Sequence, residues 1–148
     1  MTAATQHLGW QCLPPGRGHG RPALDGWDVS GLDFLFIENV GNLVCPSSFD
    51  LGESLRLVLI SVTGGEDKPL KYPTICNSAD VAVVTKMDLA TAVEFDEAAL
   101  DRNIHSVRPG MPILKVSSKS GTGVDAFLDL LTARRVATMP DAVTAAPR

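Results

Sequence analysis

The feature that most constrains the fold of this chain is a set of four apolar runs that do not alternate with polar residues. They read LDFLFIE, LRLVLISV, DVAVVTK and PILKVSS in chain order. Runs rich in Val, Ile, Leu and Phe without strict alternation are typical of strands covered on both faces of a parallel sheet. Because helix-like segments separate them, the pattern predicts an α/β fold with a mostly parallel sheet flanked by helices.

Three segments between and after these apolar runs have helix-like sequences. EFDEAALDRNIHSVRPG ends at Pro109-Gly110, KPLKYPTICNSAD is predicted to hold a short helix interrupted by Pro73, and TGVDAFLDLLTARRV has Thr122 as its predicted N-cap. The apolar residues that define the helical faces are Phe95, Ala99, Ile104 and Val107 in the first segment, and Val124, Phe127, Leu128 and Leu131 in the third.

The chain has the length of one domain, at 148 residues. Residues 1–31 carry Pro and Gly clusters and scattered apolar residues, so they are predicted to form an irregular, poorly ordered segment. Residues 32–139 hold the strand and helix patterns, and residues 140–148 are predicted to be a loose tail.

Composition excludes several classes of protein. A formal net charge of −4 argues against a nucleic-acid or anionic-membrane partner, and the apolar runs are too short to span a membrane. The N-terminus lacks the basic region and apolar block of a signal peptide. Three widely separated cysteines fit a reducing compartment, so we expect a cytoplasmic protein.

Each apolar run leads into a polar loop, and the four loops read ENVGN, TGGEDK, TKMD and SSKSG. The carboxyl ends of parallel strands meet at one edge of the sheet, where ligands of open α/β sheets bind. We therefore expect the four loops to lie together around a ligand. The alternative is a generic α/β domain in which the loops match by chance.

The loops TKMD and SSK have the chemistry to recognise guanine. The Asp88 carboxylate can accept hydrogen bonds from the ring N1–H and the amino group of guanine, whereas adenine presents an acceptor at N1. The Lys86 stem can lie over the purine face, and backbone N–H groups of Ser117 to Lys119 can reach the guanine O6. The alternatives are a solvated turn for TKMD and a helix cap for the second loop.

The loop ENVG has the chemistry of a phosphate and magnesium site. Glu38 can bind Mg²⁺ through water, and Gly41 lets the backbone approach a phosphate without a Cβ. The alternative is an acid and a glycine in an ordinary turn.

With IENVGNLVCP, FDLGE, EDKPLKYP, VVTKMDL and KVSSKSG, the chain resembles the nickel-incorporation GTPases of the HypB family between about Leu32 and Leu131. The resemblance implies a SIMIBI-type P-loop NTPase that helps deliver nickel to the [NiFe] hydrogenase large subunit. It implies GTP/GDP and Mg²⁺ as ligands, other hydrogenase maturation proteins as partners, and a homodimer.

The resemblance also assigns roles to individual residues. It places Glu38 and Gly41 in the switch and Mg²⁺ region, and Lys86 and Asp88 in the guanine-specificity motif, where Thr85 stands in a place often held by Asn. The last guanine loop corresponds to Ser118 and Lys119. Cys45 corresponds to a cysteine that binds Ni²⁺ or Zn²⁺ between two subunits, for which a thiolate is a suitable soft ligand.

The chain departs from the family in its first part. No G-x-x-x-x-G-K-[ST] motif occurs, so the N-terminal P-loop unit is expected to be missing from the fold. The family's adjacent Cys-His pair has no counterpart, since Cys12 and His19 stand apart and are not assigned as ligands. Loss of the P-loop strand is expected to expose a sheet edge and to impair GTP hydrolysis. Two functions follow as alternatives: a nickel-delivery GTPase with impaired hydrolysis, or a non-catalytic metal- and partner-binding module.

Overall fold

The chain divides into two compact units, Met1–Ser54 and Leu55–Arg148, in a computed structural model. The residues that the structure describes are 3–7, 26–29, 31–38 and 52–138. The predicted tail at 140–148 and most of the segment 1–31 lie outside them. No helix in these ranges is long and apolar enough to cross a membrane.

The first unit contains a two-stranded parallel sheet. Strand β1 (Ala3–His7) pairs with β2 (Phe34–Glu38), with Ala3 opposite Phe34 and His7 opposite Glu38. The strand β2 coincides with the first apolar run. The strand β1, of sequence AATQH, lies in the segment that the sequence predicts to be irregular. Its five residues have no apolar pattern, so pairing with β2 rather than its own sequence accounts for its extended form.

The second unit is built on a three-stranded parallel sheet in the order β3–β4–β5. These strands are Leu57–Ser61, Val81–Thr85 and Ile113–Lys115, and they coincide with the other three apolar runs. The central strand β4 has four consecutive buried residues, as expected of a strand covered on both faces. The predicted α/β fold with a parallel sheet flanked by helices is therefore confirmed.

Within residues 52–138, four helices accompany this sheet: α1 (Lys68–Lys71), α2 (Pro73–Ser78), α3 (Glu97–Val107) and α4 (Val124–Thr138). Pro73 interrupts the segment between β3 and β4 as predicted, since α2 begins there. A proline is accommodated at a first helical position because its missing N–H would have no intrahelical partner. The helix α3 is capped by Asp96, whose carboxylate accepts a hydrogen bond from the Ala99 N–H at 2.9 Å.

One face of the sheet packs against α3. Lys115 on β5, in register with Val84, donates to Asp101 of α3 at 2.9 Å and contacts Glu97 at 3.1 Å. Burial works against the charge of Lys115, but its hydrogen bonds to Asp101 and Glu97 raise its pKa. The apolar core on this face is formed by Val58, Ile60, Ala82, Val84, Leu100 and Ile104.

The opposite face is covered by α4 only in part. Leu130 and Ala133 of α4 line a groove with Val81. Val83 is buried, but Leu59, in register beside it on β3, is 60% exposed. At β3 this face of the sheet is therefore uncovered at Leu59. On α4 the predicted apolar face is wrong at Leu128, which is 47% exposed.

Candidate functional site

Three of the four polar loops meet at the carboxyl edge of the second sheet. They follow β3, β4 and β5, which are parallel neighbours. The fourth loop follows β2 in the first unit, and residues 39–51 lie outside the described part of the chain. The candidate site in the second unit is therefore built from TKMD and SSKSG, with the loop after β3 beside them.

The loop TKMD turns sharply at Lys86. This residue has φ 61° and ψ 36°, in the left-handed region, and a short 3-10 turn, Met87–Leu89, follows it. For a residue with a Cβ this conformation costs roughly 1–2 kcal/mol. Such strain is retained where the surrounding structure fixes the backbone, and it places the side chains of Lys86 and Asp88 at the solvent-exposed edge.

Hydrogen bonds fix this loop to the loop after β5. The Val116 N–H donates to the Val84 carbonyl at 2.8 Å, and the Met87 N–H donates to the Val116 carbonyl at 3.2 Å. The Ser117 hydroxyl donates to Asp88 Oδ1 at 2.6 Å. Since these bonds join residues 29 to 32 positions apart in the chain, the two loops form one structural group.

The loop SSKSG folds back on itself around Ser117. The Ser117 N–H donates to the Thr122 carbonyl at 2.9 Å, and the Gly121 N–H donates to the Ser117 carbonyl at 2.9 Å. The prediction of Thr122 as the N-cap of α4 is wrong, because the helix begins at Val124 and the Phe127 N–H donates to the Gly123 carbonyl at 3.2 Å. The Thr122 hydroxyl instead shares a hydrogen bond of 2.9 Å with Ser120 Oγ.

Gly123 allows the loop to lie against the end of β5. It has φ 70°, and a Cβ at this position would stand 2.0 Å from the Lys115 carbonyl oxygen. Only glycine fits this close approach of two backbone segments. The loop SSKSGTG therefore depends on its last glycine for its path back to α4.

The structure brings together four of the seven site residues predicted from the sequence: Lys86, Asp88, Ser118 and Lys119 lie on these two joined loops and are exposed. Glu38 is also exposed and ends β2, so it belongs to the first unit. Gly41 and Cys45 lie outside the described residues, as do Cys12 and His19.

The motif SSK in the sequence does not by itself predict the contact of Ser117 with Asp88. Ser117 is completely buried, although it directly follows the exposed edge of the sheet. The signal in the sequence was a serine at the end of an apolar strand. An exposed turn does not require a polar residue at that position.

The segment EDKPLKYP, after β3, is held by contacts with α3 and by an ion pair of its own. Glu66 Oε1 accepts from the Asp96 N–H at 2.8 Å, which joins this loop to the start of α3. Lys71 and Asp67 form an exposed ion pair at 2.6 Å; their hydrogen bond lowers the pKa of Asp67 and raises that of Lys71. We assign these contacts to local structure.

The described residues contain no group of three or more His, Cys, Asp or Glu side chains that could hold a metal ion. Cys76 on α2 is buried, and burial raises the pKa of its thiol. This environment is that of a packing residue.

Known proteins similar to this chain include hydrogenase maturation factors. This chain is 44% identical over 118 residues to the hydrogenase maturation factor HypB of Azotobacter vinelandii. The alignment covers 80% of this chain and 38% of that protein. This chain is also 41% identical over 103 residues to the hydrogenase/urease maturation factor HypB of Helicobacter pylori. The alignment covers 70% of this chain and 43% of that protein. No protein-family model matches the chain.

Solved structures give the same result. The crystal structure of HypB from Archaeoglobus fulgidus matches with a TM-score of 0.72 and 38% identity, over 79% of this chain and 57% of that chain. HypB from Helicobacter pylori in complex with nickel also matches with a TM-score of 0.72, at 37% identity, over 80% of this chain and 55% of that chain. In fold and in sequence, the aligned part of this chain belongs to the HypB family of hydrogenase maturation factors.

Proposed function

We propose that this chain binds guanine nucleotides and nickel and acts in [NiFe] hydrogenase maturation. The observation that carries the nucleotide proposal is the pair of hydrogen bonds that joins the two loops at the sheet edge, Met87 to Val116 and Ser117 to Asp88. An exposed carboxylate held by a neighbouring loop is suited to a ligand with two adjacent donors.

In this proposal the base of GTP or GDP lies between the two loops. Asp88 accepts from the guanine N1–H and amino group, while the Lys86 stem lies over the ring. Backbone N–H groups at Ser118 and Lys119 donate to the guanine O6. Adenine would bring an acceptor against the Asp88 carboxylate, and that mismatch would exclude it.

The phosphate and magnesium part of the proposal rests on the first unit. We assign Glu38 to a water-mediated contact with Mg²⁺ and Gly41 to the terminal phosphate. The family likeness supports this assignment, and so does the position of Glu38 at the carboxyl end of a parallel strand.

The metal part of the proposal rests on Cys45. A thiolate suits Ni²⁺ or Zn²⁺, and a ligand that two subunits share would require a homodimer. The nickel complex of the Helicobacter pylori relative supports nickel as the metal. The proposed partners are hydrogenase maturation proteins and the hydrogenase large subunit, and the proposed location is the cytoplasm.

A second candidate function is a metal- and partner-binding module without GTPase activity. The observation that favours it is the lack of a G-x-x-x-x-G-K-[ST] motif in the 148 residues. That motif supplies the lysine and the backbone cradle that stabilise the charge of the transferred phosphoryl group. A chain without them is expected to bind guanine nucleotides weakly and to hydrolyse GTP slowly.

Equilibrium binding and phosphate release test both candidates. The purified chain with Mg²⁺ should bind GDP and not ADP, and a GTPase should release phosphate from GTP above a buffer blank. GDP binding without phosphate release would select the non-catalytic module. If a folded sample, verified by circular dichroism, bound neither nucleotide, the proposed nucleotide function would be wrong.

A further inference from the structure

A groove at the amino edge of the second sheet takes no part in the proposed nucleotide site. It lies where β3, β4 and β5 begin, beside the second half of α4, and it has a volume of about 470 Å³. Its apolar lining consists of Leu55, Val81, Pro112, Leu130, Ala133 and Ala137. The loops TKMD and SSKSG follow the opposite ends of β4 and β5. A molecule bound in this groove would therefore leave both loops accessible.

The side of the groove that α4 contributes allows another helix to approach closely. Ala133 and Ala137 lie one helical turn apart, and both are exposed although they line the groove. The distance between two packed helices depends on the side chains at their contact, so two alanines permit a short one. Small residues alone do not select an occupant, and the charged groups of the groove are needed to identify it.

Two opposite charges line the groove without pairing with each other. They are Asp80 and Arg134, and none of the ion pairs within residues 52–138 joins them. Asp80 is held in place because its Oδ2 accepts a hydrogen bond from the Arg56 N–H at 2.8 Å. Its carboxylate retains further acceptor positions, and Arg134 is exposed on α4. A complementary occupant therefore carries one positive and one negative group beside an apolar surface.

We propose that the occupant is a second copy of this chain, bound groove to groove about a two-fold axis. Such an axis brings the same surface of each copy together, so that a contact between two different residues occurs twice. Arg134 of each copy then pairs with Asp80 of the other, while Ala133 and Ala137 bring the two α4 helices together. A groove with charges of one sign would repel its own copy. This dimer requires neither nucleotide nor metal, so it is separate from a homodimer that shares a metal through Cys45.

Sedimentation equilibrium of the Cys45→Ala chain in EDTA, without nucleotide, tests this surface apart from any dimer that a metal links. The chain should show a reversible monomer–dimer equilibrium between about 1 µM and 1 mM. Arg134→Glu should raise the dissociation constant of the dimer about tenfold or more, because two carboxylates would then meet at both symmetric contacts. Arg134→Lys, which keeps the charge, should retain the dimer. Ala133→Gln should weaken the dimer as well, because its longer side chain prevents the close approach of the helices.

Arg102→Glu is the matched control, because it makes the same change of charge outside the groove, at a side chain of α3 that is 70% exposed. It should leave the dissociation constant unchanged. Equal weakening by Arg102→Glu and Arg134→Glu would show that net charge controls the association, and it would overturn the proposal. A monomer over the whole concentration range would also overturn it and assign the groove to another occupant. The proposed nucleotide and nickel binding would stand in either case, because GDP and Ni²⁺ titrations measure them separately.

Discussion

At the scale of single residues, the proposed nucleotide site depends on the orientation of the Asp88 carboxylate. Asp88 lies at the solvent-exposed edge, where a charge by itself discriminates poorly because water competes for it. Its bond to Ser117 and the left-handed backbone of Lys86 give it a fixed place. A polar site discriminates strongly when a wrong ligand leaves its groups unpaired, so base selectivity should be the property most sensitive to Asp88.

The variant Asp88→Asn should reverse the base preference. Its amide presents one donor and one acceptor, so it can no longer accept from both guanine donors, and GDP affinity should fall by about 10- to 100-fold. Xanthine has a carbonyl in place of the amino group, so XDP affinity should rise. Isothermal titration calorimetry with both nucleotides measures the change.

Asp125→Asn is the control for Asp88→Asn, since it removes a charge from the exposed start of α4. It should leave both affinities at the wild-type level. Equal losses of GDP affinity in the two variants would contradict a specific role for Asp88.

Cys45 is the residue through which we expect nickel to bind. Titration of Ni²⁺ into the reduced chain should give a thiolate-to-metal charge-transfer band, and Cys45→Ala should abolish it because no other soft ligand is assigned. Cys76→Ala is the matched control, since the Cys76 thiol is buried. A band that survived in Cys45→Ala would exclude Cys45 as the ligand.

At the scale of elements, the link between β5 and α4 depends on a close backbone approach. The loop of Ser117 to Gly123 returns to the end of β5 and then enters α4, where Gly123 accepts the hydrogen bond from Phe127. The space for this return exists only because Gly123 has no Cβ facing Lys115. The backbone of the loop and the position of Ser117 are therefore set by the same glycine.

The variant Gly123→Ala should destabilise the fold severely. Its Cβ would stand 2.0 Å from a backbone oxygen that cannot move aside as a flexible side chain would. We expect a loss of about 3 kcal/mol or more in the free energy of unfolding, measured by urea denaturation.

Gly121→Ala is the control for Gly123→Ala, because Gly121 also has a positive φ but nothing within 4 Å of an added Cβ. It should cost only about 1 kcal/mol, from the backbone conformation alone. Similar losses in the two variants would mean that the contact with Lys115 is not what requires glycine.

At the scale of the whole molecule, the chain forms two units with a parallel sheet in each. In the second unit, the face of β3 that carries Leu59 remains open although the neighbouring Val83 is buried. Exposed apolar side chains on a sheet are a recognised cause of self-association. We therefore expect the solubility of the chain to depend on this face.

The variant Leu59→Thr should reduce self-association without unfolding the chain. Threonine keeps a high strand propensity, and little buried area is lost because Leu59 is 60% exposed. Light scattering as a function of concentration should show a later onset of aggregation. Val136→Thr on α4, 47% exposed, is the control, and an equal shift in both variants would argue against a specific role for the β3 face.

The sequence by itself determined four of the five strands in the described part of the chain, their parallel direction and the family. Apolar runs without alternation identify covered strands from composition alone, and LRLVLISV, DVAVVTK and PILKVSS all became strands of one sheet. The motifs after β4 and β5 were placed at the correct edge, because parallel strands bring their carboxyl ends together. These features follow from local pattern and are therefore predictable from the sequence.

Only the tertiary structure decided how the loops are joined and which residues they bury. The strand at Ala3–His7 forms through pairing with β2, and α4 begins at Val124 rather than being capped by Thr122. Ser117 donates a hydrogen bond to the carboxylate of Asp88, 29 residues earlier in the chain. Each of these depends on the distance and direction between groups that are remote in sequence. Hydrogen bonds and close backbone contacts act over a few ångströms, so their partners are fixed only when the chain has folded.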